Sequence, residues 1–252
     1  MRTARIVTTL IPESLRSCPP MILTAHGSAD PRSAEVTHAV ADHVRTQRRG
    51  LDVRVGFCEQ NTPNLRDVLG AVRGSAVVTP LLLASAYHAR VDIPGLIEQS
   101  GADVLQADTL GEDPRLVEVM RQRLAEADVA AGDPDLGVLV VAVGSSRPEA
   151  NARTATVADA LAHDTRWAGV RVAHAAGPRP SVVAGIEALR QRGARRIVLA
   201  PWFIAPGRIT DRVAEIARGA GVRMAAPLGA HALLAETLLE RFDQVIAARA
   251  AA

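Results

Sequence analysis

Lysine is entirely missing from this 252-residue chain, and all 29 of its basic side chains are arginines. Against 27 acidic residues they leave a formal net charge of +2. The arginines are scattered along the chain and form no basic stripe, which argues against a nucleic-acid-binding face. Arginine is well suited to carboxylate recognition. Because alanine is also abundant, however, the codon bias of a GC-rich genome explains the missing lysine more simply.

Cysteine and long apolar runs are scarce as well. The two cysteines, Cys18 and Cys58, have neither metal-ligand spacing nor a disulfide pattern, as is typical of a reducing compartment. The longest apolar stretches, 138–143 and 197–204, fall far short of the roughly 20 residues that a membrane-spanning helix needs. Residues 1–20 lack the sustained apolar stretch of a secretory signal. We therefore expect a soluble cytoplasmic protein with no membrane partner.

Sequence motifs for nucleotide-driven chemistry are absent too. The chain contains no glycine-rich phosphate loop of the P-loop type, and no dinucleotide-binding fingerprint follows its first predicted strand. It also lacks a nucleophile elbow and a His-Glu-x-x-His helix. We therefore expect a function that uses no nucleotide.

What the chain does contain is an internal repeat. Residues 22–63 align with 139–180 at a constant offset and without a gap. Four extra residues in the second copy then bring 80–83 onto 201–204. The sequence therefore predicts two similar halves.

The length agrees with two small domains, because a usual domain has about 100–150 residues and 48% of this chain is apolar. We expect an N-terminal extension over 1–20, a first domain over 21–130 and a second over 136–252. The segment between them, 128–136, has turn composition and no periodicity.

In both halves, short aliphatic and β-branched runs alternate with amphipathic stretches of helical length. The predicted strands cover 21–25, 52–58, 76–83, 103–106, 137–142, 169–174, 196–204 and 222–225. The predicted helices cover 31–48, 63–73, 92–100, 113–128, 148–164, 180–192, 210–219 and 231–248. The strands lack in-out alternation, as is typical of parallel strands that are covered on both faces. We predict an α/β fold with two doubly wound domains, each with a four-stranded, mainly parallel sheet flanked by helices.

Three residues that could bind a metal lie where the first three strands of the first half end, namely His26, Glu59 and His88. The carboxyl ends of parallel strands meet at one edge of a sheet, where ligands bind in open α/β folds. Two imidazoles and a carboxylate suit iron(II), cobalt(II), nickel(II) or zinc(II). So few protein ligands leave coordination positions open, as in a catalytic or transfer site.

The second copy is a control for this interpretation, because it has Val143, Ala176 and Ile209 at the three positions. A lone histidine at a strand end is more often structural than metal-binding, and Glu59 alone could cap a helix. A structural role, however, would be expected to persist in both halves. The joint loss favours a metal site in the first half.

Other residues near this edge have two interpretations each. Gly27 and Ser28 open the first helix and could approach a ligand, but their repetition in the second copy fits a structural role equally well. Asp92 could orient the second histidine or cap the helix that follows. His174 ends a strand of the second half, where a structural role is commoner than one facing the cleft.

The residues at this edge resemble the sirohydrochlorin chelatase family, the class II chelatases of siroheme and cobalamin synthesis. The similarity lies in Ala-His-Gly-Ser-Ala-Asp-Pro-Arg at 25–32 and in the run from Pro-Leu-Leu-Leu to Asp-Ile-Pro at 80–94. It extends from Met21 to the C-terminus, and 144–151 and 201–207 resemble the degenerate half of the family's long form. The resemblance implies two chelatase-like halves that face each other across a cleft.

The resemblance also implies metal ligands and a reaction. It places the two metal-binding histidines at His26 and His88 and the assisting acid at Glu59. Ala86 stands where the family usually has a glycine. The implied reaction is insertion of Fe²⁺ or Co²⁺ into sirohydrochlorin without ATP, with Ni²⁺ or Zn²⁺ as further metals in vitro. Glu59 or a histidine could accept a pyrrole proton.

The implied substrate carries several carboxylates, which arginines and helix N-termini at the cleft could bind. By position, the candidate substrate-binding residues are Gly27, Ser28, Arg32, Arg90, Asp92, Arg147, Arg208 and Arg212. The alternative function is a non-catalytic tetrapyrrole or metal carrier that uses the same cleft. A two-lobed solute-binding protein is disfavoured, because the ligands are confined to one half. We expect a monomer, and the choice between iron and cobalt stays open.

Overall fold

A computed structural model describes residues 18–84 and 88–251, and of His88 it describes only the backbone. Most of the N-terminal extension lies outside the described residues, as does Ala86. The strands are β1 Met21–Ala25, β2 Val53–Phe57, β3 Ser75–Pro80, β4 Asp103–Gln106, β5 Leu136–Ala142, β6 Gly169–His174, β7 Arg196–Pro201 and β8 Arg223–Met224. The α-helices are α1 Pro31–Gln47, α2 Leu65–Gly70, α3 Ile93–Ser100, α4 Pro114–Glu126, α5 Pro148–Ala162, α6 Val182–Gln191, α7 Arg208–Gly219 and α8 Ala232–Ala250. A π-helical turn, His88–Asp92, precedes α3.

The strands form two parallel sheets of the same topology. The first has the order β2-β1-β3-β4 and the second the order β6-β5-β7-β8. Every strand pair is parallel. The predicted α/β class, with two similar four-stranded sheets flanked by helices, is confirmed.

The repeat is visible in the hydrogen bonds beyond the strand ends. The Cys58 amide donates to the Ala25 carbonyl over 3.0 Å, and the Ala175 amide donates to the Ala142 carbonyl over 2.8 Å. These two bonds occupy equivalent positions of the aligned copies. The constant sequence offset therefore corresponds to the same loop geometry in both halves.

Helices cover both faces of each sheet. On one side of the first sheet, Ile22 and Val78 pack with α2 and α3, and on one side of the second sheet, Leu139 packs with α6 and α7. The other two faces share one hydrophobic cluster, in which Leu23 of the first sheet and Val140 of the second belong to the same core. The helices between the sheets are α1, α4, α5 and α8. The sheets therefore enclose a common helical layer.

Two helices of that layer each pack against the half of the chain to which they do not belong. Helix α8, at the end of the second half, packs against α1 and β3 of the first. Helix α4, at the end of the first half, packs against α5 and β7 of the second. Each sheet is thus covered by a helix from the other half, and the division of the chain at 128–136 stays a prediction.

The helix starts follow from their capping residues. The side chains of Asp30, Asn64 and Asp113 each accept a hydrogen bond from a backbone amide in the first turn of α1, α2 and α4. Proline occupies the first turn of α1 and α4, where its missing amide is not needed. None of the helices in the described ranges has the length and apolarity to span a membrane.

Candidate metal centre

Two of the predicted metal ligands meet at the carboxyl edge of the first sheet. His26 is the first residue after β1, and Glu59 lies just beyond β2. Because these strands are parallel neighbours, their last residues are paired, and the Glu59 amide donates to the His26 carbonyl over 3.0 Å. The two side chains are also close together, and His26 Nε2 lies 3.1 Å from Glu59 Oε1.

Both side chains are partly exposed to solvent. The His26 side chain is 37% exposed and that of Glu59 is 51% exposed. The side-chain amide of Gln60 donates from Nε2 to Glu59 Oε1 over 2.8 Å, which holds the carboxylate in place without burying it. An imidazole and a carboxylate within hydrogen-bonding distance, both open to solvent, can bind a metal together or exchange a proton.

The glycine after His26 lets the two loops approach each other. Gly27 has a φ of +99°, and a Cβ atom there would lie 1.8 Å from the Glu59 carbonyl oxygen. Its counterpart Gly144 has a φ of +94°, and a Cβ there would lie 2.3 Å from the Ala176 carbonyl oxygen. Because the close approach occurs in both halves, it favours the structural interpretation of this glycine.

Ser28 has the same kind of duplicated role. Its amide donates to Asn61 Oδ1 over 2.7 Å, and its hydroxyl accepts from the Asp30 amide over 3.1 Å. In the second half the Ser145 amide donates to Asn151 Oδ1, and the Ser145 hydroxyl accepts from a backbone amide two residues on. These bonds shape the loop before each helix. They favour a structural role for Ser28.

The third predicted ligand, His88, is the first residue of the π-helical turn between β3 and α3. Its side chain is outside the described part of the structure. The turn is anchored by Gln106 at the end of β4, whose side-chain Nε2 donates to the Ala89 carbonyl over 2.7 Å. Asp92 makes no capping hydrogen bond to the described amides of α3, so the capping interpretation finds no support.

His26, Glu59 and Asp92 line a common cavity of about 470 Å³. The other lining residues include Cys58, Val91 and Leu96. Burial raises the pKa of the Cys58 thiol, so that it stays a neutral thiol and a poor metal ligand at neutral pH. In the described ranges no group of three or more histidine, cysteine or acidic side chains is arranged to hold a metal.

His174 occupies the carboxyl end of β6, with only 9% of its surface exposed. Both ring nitrogens are buried. Burial lowers the pKa of His174, although the nearby carbonyls of Pro178 and Arg179 oppose the shift. A buried, neutral ring whose nitrogens are closed to solvent fits the structural interpretation of this residue.

Two of the arginines chosen by position, Arg32 and Arg208, lie at a contact between the halves. The Arg32 guanidinium is 2.6 Å from Asp30 and 2.5 Å from Asp211 at the start of α7. Arg32 lowers the pKa of Asp30, and Arg208 contributes to that effect. Arg212 donates to the Ala175 carbonyl over 3.1 Å, within the second half. The Arg32–Asp211 pair therefore links the carboxyl edge of the first sheet to that of the second.

One part of this edge was not predicted from the sequence. Arg153, on the second turn of α5, lines a pocket together with Arg90 and Arg147. Arg153 was not chosen from the sequence because it lies some distance along the chain from the Gly144-Ser145 motif. Its helical spacing from Glu149 nevertheless places it on the same face of α5.

Comparison with known proteins gives consistent matches for both halves. The sequence profile of the CbiX family matches residues 20–127 and again 137–245. The sirohydrochlorin cobaltochelatase of Priestia megaterium is 23% identical over 246 residues, covering 89% of this chain and 79% of that protein. The sirohydrochlorin ferrochelatase of the same organism is 25% identical over 209 residues, covering 77% and 76%.

Solved structures share the fold. SirB from Bacillus subtilis with Fe³⁺ superposes with a TM-score of 0.77 at 17% identity, covering 90% of this chain and 94% of that chain. CbiX, described as the terminal enzyme for biosynthesis of siroheme in denitrifying bacteria, superposes with a TM-score of 0.64 at 17% identity, covering 88% and 98%.

Proposed function

The chain belongs to the CbiX family, and from that membership we propose that it inserts Fe²⁺ or Co²⁺ into sirohydrochlorin without a nucleotide. Relatives carry the names sirohydrochlorin cobaltochelatase and sirohydrochlorin ferrochelatase, which supports both metals. The observation in the structure that carries the proposal is the 3.1 Å approach of His26 Nε2 to Glu59 Oε1 at an open sheet edge. The second half has Val143 at the position of His26 and Ala176 at the position of Glu59.

In this proposal the metal is a substrate that His26, Glu59 and His88 hold before transfer. Nitrogen and oxygen donors suit both iron(II) and cobalt(II), and a small ligand set leaves positions free for the pyrrole nitrogens. Ni²⁺ and Zn²⁺ fit the same donors and would be accepted in vitro. As ring nitrogens replace protein ligands, the metal moves from the protein to the tetrapyrrole.

Insertion also requires that the pyrrole N–H protons leave. When the metal departs, the Glu59 carboxylate stays within hydrogen-bonding distance of His26 Nε2, so that a proton taken up by either group can be shared between them. The partly exposed pair can then pass protons to water. We propose that His26 and Glu59 together accept these protons, without assigning the first transfer to one of them.

The remaining residues of the site contribute in different ways. Arg147 immediately precedes α5 and Arg208 begins α7, where the helix dipole adds to their attraction for substrate carboxylates, and Arg212 lies one turn further along α7. Asp92 orients His88. Gly27, Ser28 and Arg32 remain proposed substrate contacts, and all three also hold the loops around the cleft in place.

The common helical layer brings both halves of the cleft together within a single chain. On that basis we propose a monomer. We also propose that it works in the cytoplasm, with no nucleic-acid or membrane partner. The rival function is a carrier that binds sirohydrochlorin or metal in the same cleft but does not turn over. The two differ in one measurement, the number of metallated products per protein molecule.

The test is an anaerobic assay of purified protein with sirohydrochlorin and a tenfold series of Co²⁺ or Fe²⁺ concentrations. We expect many turnovers per chain and a rate well above that of the reaction without protein. His26→Ala and Glu59→Gln should each lower the rate by more than about 100-fold. Even mutation of a residue that only hydrogen-bonds to a metal ligand lowers metal affinity or activity roughly 10–100-fold.

His163→Ala is the matched control for these variants. His163 follows α5 at the end remote from the cleft, and its side chain is 76% exposed. The control should keep the wild-type rate. A single stoichiometric binding event without further product would support the carrier, and wild-type rates in both site variants would remove the assignment of the metal centre.

A further inference from the structure

The packing between the two halves occurs twice, with the roles of the halves exchanged. Helix α8 packs against α1 and β3 of the first half, and its counterpart α4 packs against α5 and β7 of the second. At a two-fold interface, each contact made by one copy recurs with the partners exchanged. The two halves are therefore related by an approximate two-fold axis, although they belong to one chain.

The carboxyl edges of the sheets show the same symmetry. Arg32, in the first turn of α1, pairs with Asp211 in the first turn of α7. The aligned copies place Glu149 at the position of Arg32 and Arg90 at the position of Asp211, and these two residues line a common pocket. The axis therefore passes between the two carboxyl edges, with one such contact on each side of it.

Val143 is the residue that this axis relates to His26. The repeat aligns the two, and their carbonyls accept equivalent hydrogen bonds, from the Ala176 amide over 2.9 Å and from the Glu59 amide over 3.0 Å. Every residue of β5 is buried, but Val143, the residue that follows, is 41% exposed. An exposed valine thus lies on the opposite side of the axis from the metal centre.

The place of Val143, and not its exposure alone, is what sets it apart, because single exposed apolar residues are common on protein surfaces. In the described ranges three large apolar side chains are exposed, and two of them, Val91 and Val143, lie at these carboxyl edges beside or opposite the metal centre. Val91 lines the cavity that contains His26 and Glu59. Each half therefore presents apolar surface where the substrate would lie.

A tetrapyrrole has its carboxylates at the rim and two broad apolar faces, so that its binding site needs apolar surface as well as cations. Contact between a valine and such a face is favourable because it removes apolar area from water. Valine also cannot bind a metal, whereas an imidazole at the same place could. A second histidine here would hold the metallated ring from the face opposite to His26.

We propose that Val143 contacts the face of the tetrapyrrole that is turned away from His26 and Glu59, and that it leaves the metal of the product without a protein ligand on that face. This inference rests on the function proposed above. Val143 is then a positioning residue, which holds the ring against the metal centre. The second half keeps the loop geometry of the first, and the loss of its imidazole allows the product to leave.

The experiment compares Val143→Ala and Val143→His with Val183→Ala and Val183→His as controls. Val183 is 62% exposed and lies on α6, the helix that covers the face of the second sheet away from the common helical layer. Anaerobic titrations measure Kd for metal-free sirohydrochlorin and for cobalt sirohydrochlorin prepared without enzyme, together with the absorbance spectrum of the bound product. KM and kcat are measured with Co²⁺, and urea unfolding shows whether each variant is folded.

We expect Val143→Ala to raise Kd and KM for sirohydrochlorin by about tenfold, because two methyl groups lose their contact with the ring, with kcat within about threefold of wild type. Val143→His should lower Kd for cobalt sirohydrochlorin by about tenfold, since its imidazole can bind the cobalt. It should also shift the absorbance spectrum of the bound product, which a merely structural role would not do. Both controls should match the wild type.

An unchanged Kd for sirohydrochlorin in folded Val143→Ala, or an equal change in Val183→Ala, would overturn the contact with the ring. An unchanged product spectrum in Val143→His would overturn the placement of Val143 opposite the metal centre. If the wild type binds sirohydrochlorin but shows no turnover, the chelatase function fails, while the Kd comparison and the product spectrum still decide the role of Val143. If the wild type binds no sirohydrochlorin, both proposals are overturned.

Discussion

Replacing Gly27 by alanine tests whether the approach of the two loops creates the metal centre. The new Cβ atom would lie 1.8 Å from the Glu59 carbonyl oxygen, whereas real Cβ atoms essentially never come within 3.0 Å of another heavy atom. The Glu59 loop must therefore move by more than about 1 Å, a displacement that can lower a rate by about 100-fold. We expect Co²⁺ insertion to fall by that factor.

Two other glycines provide matched controls for Gly27→Ala. Gly50 has a φ of +86° with nothing within 4 Å of its would-be Cβ, so Gly50→Ala adds only the strain of a left-handed residue, about 1–2 kcal/mol. Gly144→Ala adds a backbone clash at 2.3 Å with Ala176, but in the half without metal ligands. It should lower stability more than Gly50→Ala does, while leaving metal binding intact.

The assays are urea unfolding for stability, Co²⁺ titration for metal binding and the anaerobic insertion rate. Gly27→Ala should lose metal affinity and rate beyond what its stability loss explains, because its folded fraction still has a displaced Glu59. A folded Gly27→Ala variant with a rate within about threefold of wild type would refute the argument, since the displacement predicts about 100-fold.

Three further predictions follow from the packing and hydrogen bonds. Residues 21–130 expressed alone should not unfold cooperatively in urea, because α8, which covers their sheet in the full chain, is missing. A sharp unfolding transition would contradict the packing of α8 on the first half. Gln106→Leu removes the side-chain hydrogen bond to the Ala89 carbonyl and should lower kcat by about tenfold with little change in Kd for sirohydrochlorin. A tenfold weaker affinity for sirohydrochlorin would instead show that Gln106 acts in substrate binding. Partial burial tends to raise the pKa of Asp113, but hydrogen bonds from Arg115 outweigh it and hold the pKa below its ordinary value. Asp113→Asn should therefore lower the unfolding free energy by about 2 kcal/mol at pH 7, and the difference should shrink as pH falls below about 4 through the lowered pKa, which urea unfolding at several pH values checks.

Local sequence patterns predicted the helices and strands well, but they placed the carboxyl ends of β3 and β7 too far along the chain. Strands β3 and β7 end at Pro80 and Pro201, whereas the apolar runs predicted strands to 83 and 204. Leu81 and Trp202 are buried just after these strands, and each amide still donates one hydrogen bond to the neighbouring strand. Apolar residues mark burial, and burial continues past the point where strand pairing stops.

The exchange of α4 and α8 between the halves could not be predicted from the sequence. Amphipathic spacing shows that one face of a helix is buried, but it does not identify the sheet that covers the face. Both helices were predicted at nearly their observed bounds, and the boundary in the loop between α4 and β5 assigned each to its own half. Their packing is decided by the fit of side chains in the shared core.

By itself the sequence determined the two parallel sheets and the shared position of His26 and Glu59. Strand ends of a parallel sheet converge whatever else surrounds them, so distant residues can be placed together from local patterns alone. Only the tertiary structure decided how the halves are joined and which arginines meet across the cleft. Arg153, Arg147 and Arg90 come from different halves, and their common pocket depends on the relative placement of two sheets, which no local pattern encodes.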